Sequence, residues 1–204
     1  MSRIVTLIIV FVITLTACNK VEEKETYTVS GTLHNFGDAD KILLKEITEL
    51  GLKTLDTAIV ENNTFTFKGT VDTIDIKVLT IEKHNINIPF ILSNAELTTT
   101  LYKDSTNLKV VGDKENEAFT ALNTMINEQR NKIFKLSMQR RLANQEKDSV
   151  NIEKYKIAYD DYRKSVIEEE KTFFEGHKQY IAGVLILDRL IKGNVLSLEE
   201  EKEY

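Results

Sequence analysis

Apolar and polar residues alternate from Tyr27 to His34, with Tyr27, Val29, Gly31 and Leu33 set against Thr28, Ser30, Thr32 and His34. A period of two sends alternate side chains to opposite faces, so this run reads as a half-buried β-strand. Strand-like runs recur at Ile42 to Ile47, Thr54 to Val60, Thr64 to Lys68, Ile74 to Ile81, Ile88 to Leu92, Leu97 to Tyr102 and Leu108 to Val111. Turn residues separate many of them, as in Asn35-Phe36-Gly37-Asp38, Glu61-Asn62-Asn63 and Lys103-Asp104-Ser105. About eight short strands with short connections predict an antiparallel β-sandwich or open barrel. The sole proline, Pro89, cannot donate to a ladder and belongs on an edge, at a strand start or at a bulge.

The period changes at Gly112. Phe119, Leu122, Met125, Ile126, Ile133 and Leu136 fall largely three or four apart, which predicts a long helix from near Lys114. Asp148-Ser149 can cap a second helix carrying Ile152, Tyr155, Tyr159, Tyr162 and Val166. A third is expected from His177 to Lys192, apolar around most of its circumference and therefore buried on several sides, with Gly193 as its stop. The fold class is α+β: the β domain over residues 27–112, then a helical segment over 113–204. Ser197 and Glu200 form a capping box that opens a further helix. Seven residues remain after Ser197, short of the roughly 12 to 15 at which an isolated helix becomes marginal. Either this element docks as a terminal turn, or the polypeptide is the front part of something longer.

Ahead of the β domain, Arg3 precedes an apolar run from Ile4 to Leu15, followed by Ala17 and Cys18. That is a secretory signal over residues 1–17. This twelve-residue run, relieved only by Thr6 and Thr14, falls well short of the roughly 20 that span a bilayer as a helix. Leu15-Thr16-Ala17-Cys18 resembles the lipobox of bacterial lipoproteins. The resemblance implies cleavage before Cys18, lipidation of Cys18, attachment to a membrane through that lipid, and a cell-envelope location, the outer membrane first. Residues 18–26, rich in Lys and Glu, read as a lipidated, solvated tether. A lysine followed by acids just after the cysteine also resembles the surface-export signal of Bacteroidetes lipoproteins, and an ordinary charged spacer has the same composition.

Charge and cysteine usage narrow the function. Without residues 1–17 the chain has 26 basic and 32 acidic side chains, an excess that does not favour nucleic acid as a partner. The one cysteine is the lipid site, leaving no thiol for a disulfide, a thiolate metal site or a redox pair. A hydrophobic fraction of 42% supplies a real core.

Several segments are similar, in their order, to the β-rich domain of unknown function that precedes a thioredoxin-like domain in Bacteroidetes envelope lipoproteins. They are Val29-Ser30-Gly31-Thr32-Leu33, Leu55-Asp56-Thr57-Ala58, Asn63-Thr64-Phe65-Thr66-Phe67-Lys68-Gly69, Pro89-Phe90-Ile91-Leu92, and Leu108-Lys109-Val110-Val111-Gly112 with Asn116 and Phe119. The resemblance implies an accessory role beside thiol-disulfide chemistry. In that family the reaction belongs to a Cys-x-x-Cys pair, in which one thiolate attacks and the second resolves. No such pair exists here, so no catalytic residue carries over.

Other candidate chemistry is thin. His34, His84 and His177 show no metal-ligand spacing and are expected at the surface. Asp38-Ala39-Asp40 has only the start of a calcium loop and reads as a hairpin turn. Glu168-Glu169-Glu170 reads as a solvated helix face, and Tyr155, Tyr159 and Tyr162 as a packing stripe. No catalytic residue, cofactor site or metal site is assigned. Asp72-Thr73, Asp104-Ser105 and Asp148-Ser149 each resemble the acceptor of Bacteroidetes O-glycosylation, which makes Thr73, Ser105 and Ser149 candidate sites; Asp56-Thr57 matches too, inside a strand. Asp-Ser and Asp-Thr also favour turns and caps by themselves. Three functions stand: a non-enzymatic, lipid-anchored accessory or binding module of the envelope, with an unassigned envelope-protein or glycan partner; the anchor half of a thiol-disulfide oxidoreductase; or a glycan- or peptide-binding sandwich using Phe65, Phe67, Phe90 and Tyr102.

Overall fold

The computed structural model describes residues 26–36, 41–105 and 108–197, together with 199 and 202. Cys18 and its flanks, Asp38 to Asp40, and Leu198 and Glu200 of the capping box lie outside the described residues. Among the described residues eight strands come first: β1 (Tyr27–His34), β2 (Lys41–Thr48), β3 (Gly51–Ile59), β4 (Thr64–Gly69), β5 (Asp75–Ile81), β6 (Ile86–Leu92), β7 (Glu96–Tyr102) and β8 (Val110–Val111). Three helices follow, α1 (Lys114–Gln145), α2 (Ser149–His177) and α3 (Ile181–Lys192).

The strands make two four-stranded sheets, β4-β1-β7-β8 and β3-β2-β5-β6, stacked as a sandwich that does not close into a barrel. The expected antiparallel pairing holds everywhere except between β1 and β7, which run parallel in the register Val29↔Leu97 and Leu33↔Leu101. Between β6 and β7 the chain crosses from one sheet to the other through Ser93, Asn94 and Ala95. It enters beside β1 with Thr28 N–H donating to the Ala95 carbonyl at 3.0 Å.

The alternation read from the sequence becomes the interior. Val29, Leu33, Phe65, Phe67, Leu97 and Leu101 from one sheet face Ile42, Leu44, Leu79, Ile81, Ile88, Phe90 and Leu92 from the other, all essentially inaccessible. Gly31 lies in the same inward row. A Cβ there would meet the Phe65 ring at 2.2 Å, so glycine is what lets that ring lie across the strand. The turns use asparagine for its tolerance of left-handed backbone: Asn35, Asn62, Asn63 and Asn85 all have positive φ.

The edges are managed differently. β3 is exposed along nearly its whole length, and a bulge at Leu44/Lys45 and the charge of Lys53 interrupt its edge. β6 is the opposite edge, and Pro89 sits in it opposite Val78, the placement expected of a residue with no N–H to give. Two residues on, Ile91 turns its own peptide groups outward, and α1 covers them. The Asn116 side-chain amide accepts from Ile91 N–H at 3.0 Å and donates to the Ile91 carbonyl at 2.8 Å. It does for this edge what one residue of a ninth strand would do. Asp113 caps α1 by accepting from Asn116 N–H at 2.9 Å and is also bonded by the Ser93 hydroxyl. Gly112, at φ +139°, brings the chain against β7, where a Cβ would lie 2.1 Å from the Glu96 carbonyl oxygen.

A second core joins the outer face of the β5–β6 side to the helices: Ile91 with Ala118, Phe119, Leu122, Met125, Phe174, Ala182, Ile186 and Leu190. One expectation for α3 needs correction. It starts at Ile181 rather than His177, because α2 runs through to His177. Its first turn has no local side-chain cap; Glu115 of α1 supplies one by accepting from Ile181 N–H at 3.0 Å. Ala182, Gly183, Ile186 and Leu190 of α3 are buried and Ile181, Leu185 and Leu187 half-buried, while Val184 and Ile191 on the remaining side are 60% and 46% exposed. Gly193 ends the helix as expected, but in right-handed backbone; the left-handed residue is Asn194.

Candidate functional site

α1 and α2 form an antiparallel hairpin, turned at Lys147 and restarted by Asp148, whose carboxylate accepts from Asn151 N–H at 3.0 Å. That bond holds the Asp148 carboxyl below its ordinary value. At about 1.5 Å per residue, the 32 residues of α1 reach roughly 48 Å. α3 has 12 residues and covers only the root of this hairpin. Where α3 ends, α1, α2 and α3 enclose a cavity of about 250 Å³, lined by Ile133, Tyr159, Arg163, Val166, Ile167, Glu170, Arg189, Gly193 and Val195.

Glu170 is the unusual group in it. The solvated face expected of Glu168-Glu169-Glu170 holds for the first two, but Glu170 is only 4% exposed. It sits four residues after Val166 and four before Phe174, both buried, so it shares their inward strip. Its Oε1 lies 3.0 Å from Arg189 Nη2, within ion-pair range although not aligned as a hydrogen bond. Burial pushes its carboxyl above the ordinary value; the Arg189 guanidinium pulls the other way and Glu169 adds to the rise. Nearby, Gln129 is buried, with its amide donating to Glu169 at 2.9 Å and its Oε1 without a partner among the described residues. Mostly apolar walls with a few convergent polar groups are the composition of a small-ligand site between helices of a bundle. The sequence signal for Glu170 was its register with the apolar strip, hidden by the run of three acids.

The residues singled out from the sequence do not converge. Each histidine is half-buried against a ring rather than freely exposed. His34 stacks on Tyr102 at 4.5 Å, His84 meets Phe36 edge-on at 5.2 Å, and His177 stacks on Phe173 at 4.0 Å while its Nδ1 bonds the Phe173 carbonyl at 2.8 Å. Among the described residues no group of three or more His, Cys, Asp or Glu side chains is placed to hold a metal, and no helix is long and apolar enough to cross a membrane. The aromatic patch is dismantled by the fold: Phe65, Phe67 and Phe90 point between the sheets, and only Tyr102 is exposed. Tyr155, Tyr159 and Tyr162 are half-buried along the seam of the hairpin, with the Lys132 ammonium 4.0 Å over the Tyr162 ring. Thr73 is exposed in the loop after β4 and Ser149 at the start of α2, whereas Ser105 is half-buried. Thr57, inside β3, is exposed as well, because that strand is an open edge.

The fold and this cavity define an α+β protein in which a β-sandwich carries a helical extension with a cavity between its helices. A family model described as a domain of unknown function (DUF4369) matches residues 27–119. That span is the sandwich plus the Asp113, Asn116 and Phe119 clamp of α1, so the matched unit ends where the edge of β6 has been sealed. Among curated proteins none matches the chain.

Proposed function

We propose that this chain is a non-enzymatic binding module of the cell envelope, held at a membrane by lipid on Cys18, with the sandwich as scaffold and the helical bundle as the part that binds. The observation that supports binding is the Glu170 cavity. Its acid faces a guanidinium and apolar walls, with no serine, cysteine, lysine or histidine among the residues that line it. Native mass spectrometry of the full chain extracted from its membrane tests this. The expected result is a bound small ligand that is lost in Ile167→Trp, whose larger ring fills the cavity. No added mass on the native chain, or the same added mass on both chains, overturns it. For the anchor, incorporation of a labelled fatty acid is expected in the native chain and absent in Cys18→Ser, which moves to the soluble fraction. Thr73, Ser105 and Ser149 remain proposed glycan sites on the same module. An intact mass equal to the unmodified lipidated chain removes them.

A second reading is the anchor and accessory half of a thiol-disulfide oxidoreductase. It is supported by the match over residues 27–119 together with the resemblance of that region to domains preceding thioredoxin-like ones. Reading the coding sequence beyond Tyr204 separates the two: a further domain with Cys-x-x-Cys favours the oxidoreductase.

A further inference from the structure

The distal part of the hairpin, residues 130–165, carries ten basic and five acidic side chains. It is therefore +5 in a chain whose total is −5, and the rest of the molecule carries −10. Along α1 in this stretch, Phe134, Met138 and Leu142 follow one another at four-residue steps and are 64%, 36% and 51% exposed. They form one strip on the helix. The residues of α1 turned toward α2 lie on the opposite side at helical spacing: buried Gln129 and Ala143, with Ile133 and Leu136 half-buried. Arg130 and Arg141 flank the strip on one side and Lys135 on the other. Among the described residues the ion pairs of the arm, Lys156 with Glu153 and Lys164 with Asp161, are on α2.

We propose that this arm docks side-on onto an anionic phospholipid surface, with Phe134, Met138 and Leu142 entering the boundary between headgroups and acyl chains and lipid phosphates met by Arg130, Arg141 and Lys135 along the two edges of the strip. An exposed apolar strip edged by long basic side chains is the arrangement by which a helix lies in the plane of a membrane surface. The basic stems can spread along such a surface while their charges reach the headgroups. Charge sets the orientation: the −10 remainder is repelled and the +5 arm attracted, so the molecule approaches arm first. Three apolar side chains are a thin strip, so the attachment is reversible and depends on charge.

The proposal does not rest on lipid at Cys18, and its test leaves that residue out. A chain beginning at Asn19 keeps every residue of both cores. It is sedimented with vesicles of phosphatidylglycerol and phosphatidylcholine, and with phosphatidylcholine alone. Binding is expected only with phosphatidylglycerol and falls as salt is raised. K135Q/R141Q weakens partitioning by about thirtyfold, from the attraction of two basic side chains near an anionic surface. F134S weakens it as well, and both variants keep the helical circular dichroism signal because these side chains are exposed. Absence of binding, equal binding to both vesicle types, or unchanged binding by K135Q/R141Q overturns the proposal. Labelling of Cys18 reports separately on the anchor.

Discussion

The sandwich and the distal arm are built from the same chain by opposite means. Between the sheets, rows of side chains from strands far apart in sequence are excluded from water, and the ladders of β1, β2, β5 and β7 are paired on both sides. In the arm the buried residues of α1 nearly cease after Gln129, with Ala143 the exception, and the seam is made by half-buried side chains and one cation over a ring. Helices draw most of their stability from an apolar face packed on something else. The arm therefore belongs to the low-stability end of the molecule and the sandwich to the high end. Surface chemistry on the arm is free to change without unfolding the scaffold. That is the arrangement expected of a module that presents a binding element on a fixed base.

Substitutions should sharpen this contrast in a definite order. Phe67→Ala removes an aromatic ring from the sandwich interior and should cost about 3–5 kcal/mol in chemical denaturation. Asn116→Leu leaves the Ile91 N–H and carbonyl buried without partners and should cost about 2–4 kcal/mol, with faster amide exchange of β6 before the rest of the sheet. Arg189→Met strips the counter-charge from Glu170. Because the Arg189 side chain is about half exposed, the cost should be nearer about 1 kcal/mol than the larger penalty of a fully buried pair. Phe134→Ser, in the arm, should stay within about 0.5 kcal/mol of the native chain, as surface changes do.

Glu170 gives the contrast a pH dependence. Its folded carboxyl is raised above the unfolded value by burial, so over that interval the folded state holds a proton the unfolded chain has lost. Stability from this group therefore falls as pH rises from the ordinary glutamate range through the folded value. Glu170→Gln should match the native chain near the bottom of that window and become the more stable of the two toward neutral pH. A constant difference across the window would show that Glu170 does not titrate as its burial requires.

Much of the sandwich was legible because period two is a local signal. Val29, Leu33, Leu97 and Leu101 could be placed on an inner face without knowing their partners. That β1 and β7 lie parallel was not legible, since no residue in either strand marks the direction of its neighbour. The start of α2 was readable from Asp148-Ser149, whereas the start of α3 was not, because its cap is Glu115, sixty-six positions away along the chain. The site was harder still. Glu170 sits in a run of three acids, and only its register with Val166 and Phe174 marks it as inward. Asn116 was noticed as part of a motif, but its double hydrogen bond to Ile91 depends on which strand forms the edge.

Hydrogen–deuterium exchange of the full chain, read by peptide mass spectrometry, tests the division into scaffold and arm most directly. Peptides from β1, β2, β5 and β7 should exchange slowly, through global unfolding. Peptides from residues 130–165 should exchange through local opening orders of magnitude faster, with α1 near Asn116 and Phe119 protected like the sheet. Equal, high protection along the whole of α1 and α2 would contradict the account, because the arm would then be part of the scaffold.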